Sequence, residues 1–260
     1  MPELPDVEGF RRTLAEHAVG KRIRDVATLD AGVLRGVSAG QLRDRVAGRR
    51  FGEPRRLGKW LIAPLKGRPE TVLLHFGMTG SLRWATLDDD RHQHDRVIFV
   101  FDEGELRYRD MRKLQGLHLA GDAAELDRLL AGVGPDALEV SKERFRDLLG
   151  RRRRLKELLA DQSVLSGLGN LLVDEILWRA RLNPHIPAAE LDGPAADGLF
   201  REMRNVLRAA VKAQRVPPRK SWLTGRRDEP SGSCPRCGTT LSRDRVGGRG
   251  TVWCPRCQPG

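Results

Sequence analysis

The sequence predicts a multidomain α+β protein: an N-terminal antiparallel β-sandwich with flanking helices, a helical domain, and a short C-terminal hairpin held by cysteines. Three observations carry this. Short apolar stretches broken by turn residues fill residues 1–121. Helical spacing of apolar residues takes over beyond Pro135. The four cysteines, Cys234, Cys237, Cys254 and Cys257, all lie near the C-terminal end. The implied boundaries are 1–121 for the sandwich, 122–135 for a linker, 136–220 for the helical domain and 221–260 for a linker plus the hairpin.

The elements follow in chain order. Pro5, Asp6, Val7, Glu8, Phe10 and Leu14 place a proline and acids in a first turn with apolar residues at helical spacing, so a helix starts at about Pro5. Strands are read at Ile23 to Leu29, Arg56 to Leu65, Thr71 to His75, Ser81 to Trp84, Arg96 to Phe101 and Glu105 to Arg109. The last two flank Asp102-Glu103-Gly104, a hairpin signal. Gly121 to Pro135 carries one short helical stretch and a break at Gly132-Val133-Gly134-Pro135. Helices then follow at roughly 141–149, 152–160, 170–182 and 194–214. Arg215 to Gly232, with its Pro, Gly, Ser and charge, reads as a linker or mobile loop.

Composition narrows the function. Among 260 residues, 47 Lys and Arg face 35 acids, a formal charge of +12. Such a balance favours a polyanionic partner, nucleic acid before an anionic membrane surface. No apolar run approaches a spanning helix and no signal pattern opens the chain, so a soluble cytoplasmic protein is expected. Aromatics make up 5% with a single tyrosine, Tyr108, which argues for backbone contact with a duplex over stacking on single strands. The run Arg151-Arg152-Arg153-Arg154 could be a nucleic-acid footprint, but such a run is more often a solvated helix start.

Cys234-Pro235-Arg236-Cys237 and Cys254-Pro255-Arg256-Cys257 have the spacing of a zinc ribbon, two C-x2-C knuckles gripping one tetrahedral ion. Two disulfides are the alternative, and the missing secretion signal weighs against them. A closed four-thiolate site is structural and would hold the Gly- and Arg-rich hairpin 238–253 in one shape. His92 and His94 flank Gln93 in a polar loop and, without further nearby ligands, read as loop residues.

Two further segments carry chemistry. Removal of Met1 before Pro2 would leave a proline whose nitrogen is a nucleophilic secondary amine, with Glu3 one residue away. Terminal amines titrate at roughly 7.7–8.0, so a share is neutral at physiological pH. Asp161-Gln162-Ser163-Val164-Leu165-Ser166-Gly167-Leu168-Gly169-Asn170 opens a helix with glycines and an amide, an arrangement that aims backbone N–H groups at an anion.

Pro2-Glu3 at the start, this glycine loop and the cysteine knuckles at the end together make the chain resemble the formamidopyrimidine-DNA glycosylase/endonuclease VIII family, over nearly its whole length. The resemblance implies a helix–two-turn–helix domain and catalysis at Pro2 on a flipped nucleotide of damaged double-stranded DNA. It further implies bifunctional glycosylase and abasic-site lyase activity through a Schiff base, action as a monomer, and one structural zinc ion. Glu3 would shuttle protons, assisting opening of the sugar ring. Lys59, in Arg55-Arg56-Leu57-Gly58-Lys59-Trp60, matches the family's hairpin lysine near the lesion and its phosphates. Asn170 matches a phosphate-binding asparagine, Lys156 and Glu175 match neighbouring polar positions, of which Lys156 is expected among the DNA contacts, and Arg249 matches the phosphate-holding arginine at the zinc-hairpin tip. In His75-Phe76-Gly77-Met78-Thr79-Gly80-Ser81-Leu82, Met78 would enter the void left by the flipped base and His75 would touch a phosphate.

The chain departs from the guanine-oxidation branch twice. Asp110-Met111-Arg112-Lys113-Leu114 stands where that branch reads Asp-Pro-Arg-Arg-Phe: Arg112 keeps the arginine that pairs with the orphaned base, while Leu114 replaces the wedge phenylalanine. The stretch between Gln214 and Cys234 is short and lacks the segment that folds over oxidised guanine. Lesion preference therefore stays open between oxidised purines and oxidised pyrimidines or abasic sites. The alternative function is a zinc-finger DNA-binding protein on the same scaffold that has lost catalysis.

Overall fold

The computed structural model describes residues 1–260, which divide into two compact units. The first comprises Met1–Pro2 and Asp6–Gly132; the second comprises Glu3–Pro5 and Val133–Gly260.

Helix α1 (Leu4–His17) has Pro5 and Asp6 in its first turn and buries Val7 and Leu14 at the helical interval. Strand β1 (Asp25–Thr28) precedes α2 (Ala39–Val46), which a Ser38–Gln41 capping box starts. Strands β2 (Arg55–Leu57), β3 (Trp60–Pro64), β4 (Thr71–His75), β5 (Ser81–Ala85), β6 (Asp95–Phe101), β7 (Gly104–Arg109) and β8 (Leu117–Ala120) complete two antiparallel sheets. Their orders are β1-β6-β7-β5 and β2-β3-β4-β8. Phe51, Leu61, Leu74, Phe99, Leu106 and Tyr108 are among the buried side chains that form the core of this unit. The expected hairpin is present, with Phe101 paired to Gly104 across Asp102 and Glu103. Helix α3 (Ala123–Leu130), capped by Asp122, follows.

In the second unit, α4 (Lys142–Leu149), α5 (Leu155–Leu159), α6 (Asn170–Ala180) and α7 (Gly193–Ala213) bury a separate core that includes Leu4, Phe145, Leu165, Ile176, Leu199 and Met203. Strands β9 (Ser242–Val246) and β10 (Arg249–Trp253) form the terminal hairpin. No helix is long and apolar enough to cross a membrane.

Three sequence expectations need correction. The strand expected over Arg56 to Leu65 is two strands, because Gly58 at φ +56° turns the chain and pairs Leu57 with Trp60. Helix α2 and strand β8 fall outside the elements expected from the sequence, although Ser38-x-x-Gln41 is a legible start signal. Arg215 to Gly232, read as a linker or mobile loop, is anchored at its middle: Trp222 and Leu223 are buried, and a 3-10 turn runs over Leu223–Gly225. A composition rich in Pro and Gly concealed these two apolar anchors.

Candidate functional site

The sequence places an anion at the loop that opens α6, and the structure supplies one from the chain itself. Glu3 is fully buried, and its carboxylate accepts hydrogen bonds from the backbone N–H groups of Gly169 (3.0 Å), Leu171 (2.8 Å) and Leu172 (3.0 Å). These are orphan donors of a helix start, and the positive end of the helix faces the same charge. The anion these N–H groups were expected to face is thus the chain's own carboxylate. Leu4 N–H donates to the Gly167 carbonyl at 3.0 Å, continuing the seat along the chain. Two glycines make room for it. A Cβ on Gly169 would stand 2.2 Å from Glu3 Cδ, and one on Gly167, at φ +103°, 2.6 Å from Leu4 Cδ1. Gln162 braces the loop: its amide nitrogen donates to the Leu168 carbonyl (2.8 Å) and its oxygen accepts from Gly167 N–H (3.0 Å). Sequence reasoning quoted Gln162 without giving it this work. Met1 is half exposed, and the amine form of Pro2 requires its removal.

The zinc hairpin turns at Gly247 and Gly248, both with positive φ, which a two-residue hairpin demands. Arg249 follows directly and is exposed. The next carbonyl, that of Gly250, accepts from Lys156 Nζ (3.0 Å), Asn170 Nδ2 (2.9 Å) and an Arg227 guanidinium nitrogen (2.8 Å). Lys156, expected among the DNA contacts, has no exposed surface; Asp174 holds its ammonium at 2.6 Å. Its position is one of support beneath the hairpin. Burial, then the charges of Arg227 and Arg249, press its pKa down to about 7. Glu175, also buried, bonds Arg179 (2.8 Å) and accepts from Thr224 N–H (3.2 Å), and burial raises its pKa.

The sulfur atoms of the four cysteines lie within 4.8 Å of one another. Cys234–Cys257, Cys237–Cys254 and Cys237–Cys257 are 3.9, 3.5 and 3.4 Å apart. A tetrahedron with zinc–sulfur bonds of about 2.3 Å has edges of about 3.8 Å, so the set fits zinc. The indole N–H of Trp178 points at Cys234 Sγ (3.3 Å), tying the knuckle to α6.

In the first unit, Lys59 stands in the turn between β2 and β3 and β4 ends at His75, paired with Trp60. His75 Nδ1 accepts from Gly77 N–H at 3.1 Å, which leaves the proton of the neutral ring on Nε2. Burial, followed by the charge of Lys59, lowers the His75 pKa to about 4, so the ring is a neutral donor at physiological pH. Met78 and Leu114 are 41% and 49% exposed, far more than core residues of their size. A guanidinium nitrogen of Arg112 approaches Met78 Sδ at 3.1 Å. Buried Asp110 joins the two turns: its Oδ1 accepts from Thr79 Oγ1 (2.6 Å) and from Arg112 N–H (3.1 Å). Thr79 and Asp110 were quoted in the motifs, but only tertiary contact reveals this lock.

Elsewhere, Arg153 pairs with Asp161 at 2.7 Å, so the arginine run is not uniformly a solvated stripe. The rings of His92 and His94 meet in a tilted contact in their loop, 5.2 Å apart at 57°.

A β-sandwich, a helical unit that seats an N-terminal glutamate, and a four-thiolate hairpin define a zinc-containing class built for polyanions. Residues 1–117 match the family model of the formamidopyrimidine-DNA glycosylase N-terminal domain, 132–218 its H2TH domain, and 233–260 a zinc finger found in FPG and IleRS. The chain is 37% identical to the formamidopyrimidine-DNA glycosylase of Salinispora arenicola over 281 residues, covering 100% of this chain and 96% of that one. It is 35% identical to the Bacillus subtilis protein of the same name, with 99% of each covered. Among solved structures, Lactococcus lactis Fpg complexed with DNA containing an abasic site superposes with a TM-score of 0.89, at 30% identity over 100% of both chains. The same Lactococcus protein with DNA containing an oxidised pyrimidine gives 0.88 at 29% identity, again over 100% of both. The chain belongs to the formamidopyrimidine-DNA glycosylase family. Its second unit carries the helix–two-turn–helix module, and its four cysteines form one structural zinc site.

Proposed function

We propose that the protein is a bifunctional DNA glycosylase and abasic-site lyase that acts as a monomer on oxidised bases in duplex DNA, in base-excision repair in the bacterial cytoplasm. The observation that carries this is the seat of Glu3. A carboxylate one residue from the N-terminal proline is held, dry, on three backbone N–H groups in a chain related along its whole length to such glycosylases. Kinship and the retained Pro2-Glu3 pair speak against the catalytically inactive alternative.

The chemistry follows from the groups present. With Met1 gone, the neutral Pro2 nitrogen attacks C1′ of a flipped nucleotide, and the bond from C1′ to the base breaks. The base leaves with the bonding pair and takes up a proton. The new C1′–N bond makes the proline nitrogen cationic. Its N–H proton passes to Glu3 and from there to the ring oxygen O4′, opening the sugar and leaving an iminium. A secondary amine gives a permanently charged iminium, which withdraws electrons from C2′. Loss of a C2′ proton then expels the 3′ phosphate, cleaving the strand. Lys59, His75, Asn170 and Arg249 would hold phosphates around the lesion. Met78, Arg112 and Leu114 would fill the gap and meet the orphaned base. Lys156 would support Arg249.

The test is borohydride reduction on abasic-site duplex, which should join the wild-type protein covalently to DNA through Pro2. Pro2→Gly should weaken trapping strongly. Mass spectrometry should place the adduct on the Pro2 nitrogen; an adduct on a lysine, or normal scission with Met1 still attached, would overturn the assignment.

A further inference from the structure

The convergence of three donors on the Gly250 carbonyl has no counterpart elsewhere in the hairpin. They come from three separate parts of the second unit: Lys156 on α5, Asn170 opening α6, and Arg227 from the segment after the 3-10 turn. A carbonyl oxygen offers two lone pairs, so three donors exceed what hydrogen-bond satisfaction needs. Two of the three are cations taken largely out of water, a costly choice for a merely structural contact. Asp174, on α6 and nearly fully buried, balances them. Its Oδ1 takes Lys156 at 2.6 Å, while its Oδ2 takes Arg227 and also accepts from Val252 N–H at 3.2 Å. Strand β10 is therefore held at residues 250 and 252, immediately after exposed Arg249. Around that arginine the backbone is intrinsically loose, with glycines at 247, 248 and 250.

We infer that Arg227 is a positioning residue for Arg249. Its guanidinium fork ties Asp174 to the Gly250 carbonyl and so sets the direction in which the hairpin-tip arginine meets a DNA phosphate. A planar fork can reach two acceptors at fixed spacing, which an ammonium cannot. The segment that delivers Arg227 is the short stretch 215–233, anchored by buried Trp222 and Leu223 and by Thr224 on Glu175. In this chain the segment thus serves the zinc hairpin. The inference rests on the proposed DNA repair function and deepens it.

The experiment measures binding to a duplex bearing a tetrahydrofuran abasic-site analogue across a salt series, for the wild type, Arg227→Ala, Arg249→Ala and the double variant, with zinc content and melting temperature recorded for each. Arg227→Ala should keep its zinc, weaken binding about tenfold and lower the slope of log K against log salt by about 0.9, the value for one phosphate. The double variant should bind no worse than Arg249→Ala alone, because Arg227 acts through that residue. Additive losses in the double variant, or a wild-type slope in Arg227→Ala, would overturn the inference. Should Arg227→Ala fail to fold, Arg227→Lys decides: binding several-fold weaker than wild type is expected, and wild-type affinity would show the fork to be unnecessary. A wild-type protein that neither binds this duplex nor traps on an abasic site would instead defeat the function itself.

Discussion

Glu3 and Gly169 form a matched pair, and their exchange is the sharpest test at the level of single residues. Glutamine in place of Glu3 can still accept on its oxygen, but its amide nitrogen cannot, so N–H groups of the α6 loop lose their acceptor. Glu3→Gln should slow base excision by about 10²–10⁴-fold, the range of a lost proton-transfer group, and leave duplex affinity within a few-fold. Gly169→Ala puts a methyl on the carboxylate and should cost both stability and excision; single-turnover kinetics and thermal melting read both out, and unchanged excision in either variant would remove Glu3 from the chemistry. His75 gives a pH prediction. Its pKa is about 4 in the fold against about 6.5 unfolded. Its stabilising contribution is therefore complete above about pH 6.5 and is lost as pH falls toward 4. Between pH 7 and pH 5 the wild type should lose more melting temperature than His75→Asn, and parallel losses would contradict the assignment.

The zinc hairpin is the element most dependent on something beyond its own chain. Its two strands pair over only five residues each, and a two-stranded hairpin is marginal in water without further support. Chelation should release Arg249 and the Gly250 carbonyl together, weakening duplex binding while the sandwich unit stays folded. The indole of Trp178 beside Cys234 offers a fluorescence signal for this step, to be compared with far-UV dichroism. Loss of all structure on chelation would mean the hairpin does more than present its tip. Elements differ in how legible they are. Helix α1 announces itself through Pro5, Asp6 and its apolar spacing, and β4 through an unbroken apolar run. Strands β2 and β3 merge in the sequence because the turn at Gly58-Lys59 is too short to interrupt the polarity pattern. The site residues divide the same way: Pro2, Glu3 and the four cysteines stand out by type and spacing. Gln162, Thr79, Asp110 and Arg227 do not, because what marks them is a partner distant in sequence.

Across the whole molecule, the formal charge of +12 suits a polyanion without selecting a lesion. Selectivity for one base needs groups that close over it, and the short segment 215–233 is bound instead to Glu175, Asp174 and the Gly250 carbonyl. Leu114, proposed to act as the wedge, also presents less stacking surface than an aromatic ring. A panel of duplexes carrying single defined lesions should therefore show comparable excision of oxidised pyrimidines and oxidised purines, with strand cleavage at abasic sites as well. A strong preference for oxidised guanine over the rest would require a base-closing element other than this segment.

By itself, the sequence determined the order of modules, the zinc ligands and the N-terminal Pro2-Glu3 pair proposed to react, because each depends on residue type at short spacing. Tertiary structure alone decided that the anion at the helix-opening N–H groups is Glu3, and that Lys156 lies buried beneath the hairpin. It also decided that the charged, proline-containing stretch 215–232 carries buried anchors. Those outcomes turn on which distant groups share a low-dielectric space, where an unmatched charge or N–H is costly, and no local pattern records that choice.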